Sequence, residues 1–233
     1  VILYVNGDSH TAAAEAVNPC AFANDDSRYL ALGRGPHPRN LAVSWCTLLA
    51  RELRATLVCD AESASSNTRI MRTTRNWLNN AANLQDLLVI IQWSTWEREE
   101  WLIDGTYYQV TASGTDTVPK SHEKQYRNWI LDMNWYQKTL EVHEEIWQFH
   151  QELQGLKIKH IFFNGNTDFS MIKEQKDWGL NYIQPYELEG TFDTRLRAFG
   201  QQPLQPYGWH FGPEGHRLWQ RFMLHYITSN SLV

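Results

Sequence analysis

Two short segments near opposite ends of the 233-residue chain concentrate the residues able to do chemistry. At the start, the apolar run "VILYV" passes straight into Asn6, Gly7, Asp8, Ser9 and His10; near the end stands "GWHFGPEGH", with His210 and His216. A serine delivered by a strand into a turn is exposed enough to serve as a nucleophile, and an imidazole can take its proton near neutral pH. A serine and a histidine brought together in this way would be fit for nucleophilic catalysis, the one attacking and the other taking its proton. Each residue also has a plainer role. Ser9 could cap the helix that follows, and Asp8 is expected to bond local turn amides. His10 is read as a local hydrogen-bonding residue, and His216, one turn into the last helix, as a packing or capping residue.

The composition narrows the alternatives. A hydrophobic content of 42% supports a substantial core, and residues 1–233 are expected to form a single domain. A formal charge of -5 leaves no long basic stripe, so nucleic acid is not an expected partner. Cys20, Cys46 and Cys59 are an odd count without metal-ligand spacing and are read as reduced thiols. No dinucleotide fingerprint or phosphate-binding Gly-rich loop is present, so neither a cofactor nor a metal is expected. The sequence opens without a signal-peptide pattern, and no segment approaches the roughly 20 apolar residues of a membrane span. The 11 tryptophans are read as core and interface packing rather than as a sugar-stacking surface.

The elements that must position Ser9 and His210 follow from periodicity. Short apolar runs at 1–5, 56–59, 86–93 and 159–164 predict parallel strands buried on both faces. Between them the spacing predicts a helix from Asn40, with Asn40 as N-cap, and a shorter one over "NTRIMRTTRNWLNNA". One long helix is expected from His122 to Leu153, and a last one from "GPEGH" with Pro213 in its first turn and Leu218, Phe222 and Tyr226 on one stripe. Strand and helix alternating in this way predict an α/β architecture of three layers, a central parallel sheet with helices on both faces. Such sheets bind ligands beyond the carboxyl ends of their strands, where Gly7, Asp8 and Ser9 fall. Irregular stretches near 18–39 and 94–121 are expected as loop insertions over that edge, the second with hairpin turn chemistry at "DGTYY".

With "NGDSHT" and "GWHFGPEGH" in these places, the chain resembles the SGNH (GDSL-type) hydrolases, and most of all the SGNH-like proteins of tailed phages and cyanophages. "SASSNTRI" and "IIQWSTWER" fall where that family keeps its second and third blocks. The resemblance implies a flavodoxin-like fold in which Ser9 is the nucleophile and His210 the base. It also implies an oxyanion hole formed by Ser9, Ala64 and Ser94, the last two replacing the family's glycine and asparagine. Where the family has an aspartate three residues before the histidine, this chain has Tyr207. A Ser-His dyad would then lack its third member, unless Asp168, Asp193 or Glu214 turns inward.

Two functions fit this pattern. One is a serine ester hydrolase, an esterase or carbohydrate deacetylase, acting on a small ester or acylated carbohydrate. The other is a catalytically impaired phage virion protein, structural, decorative or for attachment, partnered by other phage structural proteins. The expected location is accordingly the host cytoplasm or an assembled virion. In "QWSTWEREEW" one or two of the tryptophans are expected to close over the core, with Glu97 and Arg98 facing water.

Overall fold

In the computed structural model, which describes residues 1–23, 34–114 and 117–232, the four apolar runs become strands within one residue of the predicted bounds. The six strands among the described residues are β1 (Ile2–Asn6), β2 (Thr56–Cys59), β3 (Leu87–Trp93), β4 (Glu99–Ile103), β5 (Thr106–Val110) and β6 (Lys159–Asn164). The sheet is parallel with order β2-β1-β3-β6, and every residue of β3 is buried, as its unbroken apolar run requires.

The helices are α1 (Ser9–Ala12), α2 (Pro38–Leu41), α3 (Trp45–Glu52), α4 (Asn67–Asn80), α5 (Glu123–Leu131), α6 (Trp135–Gly155), α7 (Phe192–Ala198) and α8 (Pro213–Ser229). Alternate residues of each strand serve opposite layers. Leu3, Val5, Ile90 and Phe163 pack with Leu49 of α3, Leu196 of α7 and Trp219 of α8. Tyr4, Ile91 and Phe162 pack with Ile70 of α4 and with Ile146 and Phe149 of α6. The architecture is therefore α/β, a four-stranded parallel sheet with helices on both faces.

Three helix expectations change. Asn40 does not cap the helix predicted to begin there: it lies inside α2, and its buried side chain accepts from Val17 N and Asn18 N while donating to the carbonyls of Asn18 and Cys20. Ser44 caps α3 instead, accepting from Thr47 N. The predicted 122–153 helix is two helices, because Asn134 caps α6 by accepting from Gln137 N. The split lets Tyr126, Trp129 and Ile130 of α5 pack with Val110 and Trp101 of the β4–β5 hairpin while α6 packs on the main sheet. On α8 the fully buried stripe is His216, Trp219, Met223 and Ile227, with Leu218, Phe222 and Tyr226 only partly buried beside it.

The hairpin expected in 94–121 forms, turning at Asp104 and Gly105, both at positive φ as a tight two-residue turn demands. Within the other insertion, residues 24–33 lie outside the described residues.

Several histidines are buried within these layers. Tyr186 Oη accepts from Lys176 N and Trp178 Nε1, so its own proton points to His143 Nε2 and favours a neutral imidazole. Burial, with the charge of Lys176, pushes His143 down to about 4. Burial likewise lowers His160 to about 4, and lowers His150, whose Nδ1 lies 2.8 Å from His160 Nε2. These groups protonate more readily in the unfolded chain, so the stability they allow is complete above pH 6.5 and declines as pH falls toward 4. Urea midpoints measured from pH 7.5 to 4 are expected to fall mainly below pH 6.5; a flat profile across that window would contradict neutral buried imidazoles.

Candidate active site

Asn6 ends β1, and the chain turns into α1 at the carboxyl edge of the sheet. Asp8, not Ser9, is the N-cap of α1, and its Oδ1 accepts from His10 N at 3.0 Å. Ser9 is thus the first helical residue, 6% exposed. The turn is close-packed. A Cβ on Gly7 would sit 2.7 Å from both Gln92 Oε1 and Thr11 Oγ1, and one on Gly165 would sit 2.6 Å from Gln92 Nε2. Between the two glycines, Gln92 Oε1 accepts from Asp8 N at 3.0 Å and Thr11 Oγ1 at 3.1 Å, while Nε2 donates to Trp93 O.

Asp8 is fully buried and its carboxylate is saturated. Oδ1 also meets His10 Nδ1 at 2.9 Å; Oδ2 accepts from Ser94 Oγ at 2.8 Å and Arg98 Nη1 at 3.0 Å. Burial alone would raise this carboxyl, but the charge and hydrogen bond of His10 and the charge of Arg98 outweigh it and hold Asp8 well below the usual carboxylate range. Asp8 does bond a local amide, as expected, but it also anchors a network across 90 positions of sequence. Arg98 does not face water as the sequence suggested.

The same network corrects the expected role of Ser94. Its one hydroxyl proton is given to Asp8, and its lone pairs receive Arg98 Nη1 at 2.8 Å, so it has no proton left for an oxyanion. Asn67 fixes the Ser94 backbone from both sides, accepting from its N–H and donating to its carbonyl. The other two expected donors differ: among the described residues the amides of Ser9 and Ala64 make no hydrogen bond. Ala64 adopts a left-handed φ of 66°, the conformation that suits the glycine of the resemblance.

His210 reaches the same edge. Its ring lies 6.4 Å from that of His10, the neighbour of Ser9, at 78°. No hydrogen bond joins it to Ser9. Its Nδ1 instead meets Glu15 Oε2 at 3.0 Å, a contact with no mark in the sequence. Tyr207 is 97% exposed at φ 62° and makes no hydrogen bond among the described residues, so it orients nothing. The other carboxylates considered are engaged elsewhere: Asp168 with Ser170 N, Asp193 with Arg197, and Glu214 with Arg217. His216 is a packing residue whose Nδ1 accepts from Trp45 N, and burial, with the charges of His10 and His210, pushes it down to about 3. A cleft of about 480 Å³ lined by Glu15, Ala16, Val17, Pro19, Leu204 and Gln205 opens beside the Glu15–His210 pair. Trp93 and Trp96 are buried in the core, as expected of their segment. Among the described residues, no group of three or more His, Cys, Asp or Glu is placed to hold a metal ion, and no helix is long and apolar enough to cross a membrane.

A family model described as a family of unknown function, DUF6071, matches residues 34–155, just over half of the chain. The chain belongs to that family. The DUF6071 match includes Ala64, Ser94 and Arg98 and stops short of Ser9 and His210. No curated protein matches the chain. Among solved structures it is similar to a carbohydrate esterase whose active site is said to display divergent catalytic and non-catalytic binding functions. The identity is 13% and the TM-score 0.43, over 97% of this chain and 64% of that one. It is also similar to a protein described as lipolytic, of the G-D-S-L family, from Desulfitobacterium hafniense DCB-2, at 12% identity and TM-score 0.38, over 97% and 99% of the two chains.

Asparagine caps a helix as well as aspartate does, so Asp8→Asn isolates the charge from the cap. Leaving Arg98 without its carboxylate is expected to cost toward the lower end of the about 3–5 kcal/mol typical of broken buried pairs, because Arg98 retains some solvent. Gly7→Ala should cost about 1–3 kcal/mol by displacing Gln92. Urea unfolding checks both; wild-type stability in either variant would refute the packing and pairing described.

Proposed function

We propose that this DUF6071 chain is a serine ester hydrolase acting on a small ester or an acylated carbohydrate. The observation that carries the reading is the meeting of the two chain ends: His210 arrives beside His10, the residue next to Ser9, at the carboxyl edge of the sheet. Ser9 Oγ attacks the acyl carbonyl as its proton passes to His210 Nε2. The bond to the leaving oxygen then breaks, and that proton leaves with the alcohol. Water, deprotonated by the same imidazole, releases the acid and restores Ser9. The Ser9 and Ala64 amides supply the oxyanion donors, and Ser94 does not take part.

A second reading is favoured by a separate observation. Ser94 is committed to Asp8, and no hydrogen bond yet joins Ser9 to His210, which suits a site that has lapsed into binding, as in a phage structural or attachment protein. Loss of one oxyanion donor lowers turnover about a hundred- to a thousandfold in enzymes where it has been measured, so slow turnover is expected of the hydrolase. A fluorophosphonate probe separates the two. Slow covalent labelling is expected, abolished in Ser9→Ala and strongly reduced in His210→Ala, with non-additive losses because the pair acts as a unit. Absence of labelling in the native protein would favour the binding reading.

A further inference from the structure

The geometry points to Glu15 as the positioning residue for His210, replacing from the first block of the chain the carboxylate that Tyr207 fails to supply. This inference rests on the hydrolase reading for its catalytic consequence, but not for its structural content.

Glu15 Oε2 stands 3.0 Å from His210 Nδ1, and no other carboxylate among the described residues bonds that imidazole. A carboxylate is acceptor-only, so the contact places the ring proton on Nδ1 and leaves Nε2 as the acceptor. Nε2 makes no hydrogen bond among the described residues and is free to take a proton from a nucleophile.

The backbone around Glu15 turns sharply. α1 ends at Ala13 with φ 53°, and Glu15 itself has φ 65°, so two non-glycine residues within three adopt the left-handed region. The contact is part-exposed, with side chains 25% and 40% accessible, and exposed contacts of this kind return little stability. Residues held in this region cluster at active sites and ligand clamps.

The opposite side of the pair is also held. Leu204 N donates to His210 O, Arg197 Nη2 donates to Gly208 O, and the Arg197 guanidinium lies 5.9 Å from the Trp209 ring. The segment carrying His210 is therefore tied to α7 while Glu15 fixes the ring. Because Glu15 lies only six positions after Ser9, nucleophile and orienting carboxylate share one turn of chain, and His210 is the only member brought from afar.

The test reads the tautomer of His210 directly, by ¹⁵N NMR of histidine-labelled protein, with His210→Gln assigning the resonance. Native protein is expected to show the Nδ1–H tautomer at His210, Glu15→Gln to keep it through the amide oxygen, and Glu15→Ala to shift the ring mainly to Nε2–H. An unchanged tautomer in Glu15→Ala overturns the proposal whatever Ser9 does. Turnover of a short-chain nitrophenyl ester is expected to fall about tenfold to a thousandfold in kcat for Glu15→Ala, less than for loss of a fully buried orienting aspartate, with KM changed less than about threefold. A tautomer that responds while kcat holds would overturn the catalytic role. Absence of fluorophosphonate labelling in native protein would defeat the hydrolase reading and leave the tautomer to decide the position of Glu15.

Discussion

A carboxylate with no water around it must be paired, and Asp8 is such a carboxylate, at the exit of the first strand. Its four bonds draw in the amide and ring of His10, the hydroxyl of Ser94 and the guanidinium of Arg98. The turn carrying Ser9 is thereby tied to the segment that follows β3. The same demand accounts for the state of Ser94, whose hydroxyl proton is spent on Asp8. A change at position 94 is therefore a change in how a buried charge is balanced before it is a change in catalysis.

Close packing around Gln92 makes this arrangement possible. One side-chain amide braces Asp8 N and Thr11 from the end of β3, and it fits only because Gly7 and Gly165 present no Cβ to either of its ends. The glycines sit there because β1, β3 and β6 run side by side, with their carboxyl ends converging on one edge. Layers of aromatic and aliphatic side chains above and below the sheet hold those three strands in register. Arrangement of the site thus depends on a core assembled from every part of the chain.

The pair formed by Glu15 and His210 is of another kind. It is part-exposed and opens on a cleft, whereas Asp8 and His10 are buried; each imidazole keeps one ring nitrogen without a partner among the described residues. One edge of the sheet therefore carries two carboxylate–imidazole contacts, His10 with Asp8 and His210 with Glu15, 6.4 Å apart between rings. The buried one ties the turn carrying Ser9 to Ser94 and Arg98. Under the hydrolase reading, the open one carries chemistry.

What the sequence by itself determined was local or periodic. Unbroken apolar runs fixed the four parallel strands, the spacing of apolar residues fixed α4 and α8, and Asp104-Gly105 marked the hairpin turn. Ser9 and His210 were legible as chemistry-bearing residues because each stands in a short, distinctive segment. Tertiary structure alone decided which charges meet. Arg98 looked like one of several charged residues facing water, and Glu15 stands in no motif, because a hydrogen bond over 90 or 195 positions leaves no periodic trace. The helix boundaries at Asn40 and Asn134 were decided in the same way. A polar side chain can cap a helix or satisfy a loop with equal chemistry, and only the surrounding packing selects between them.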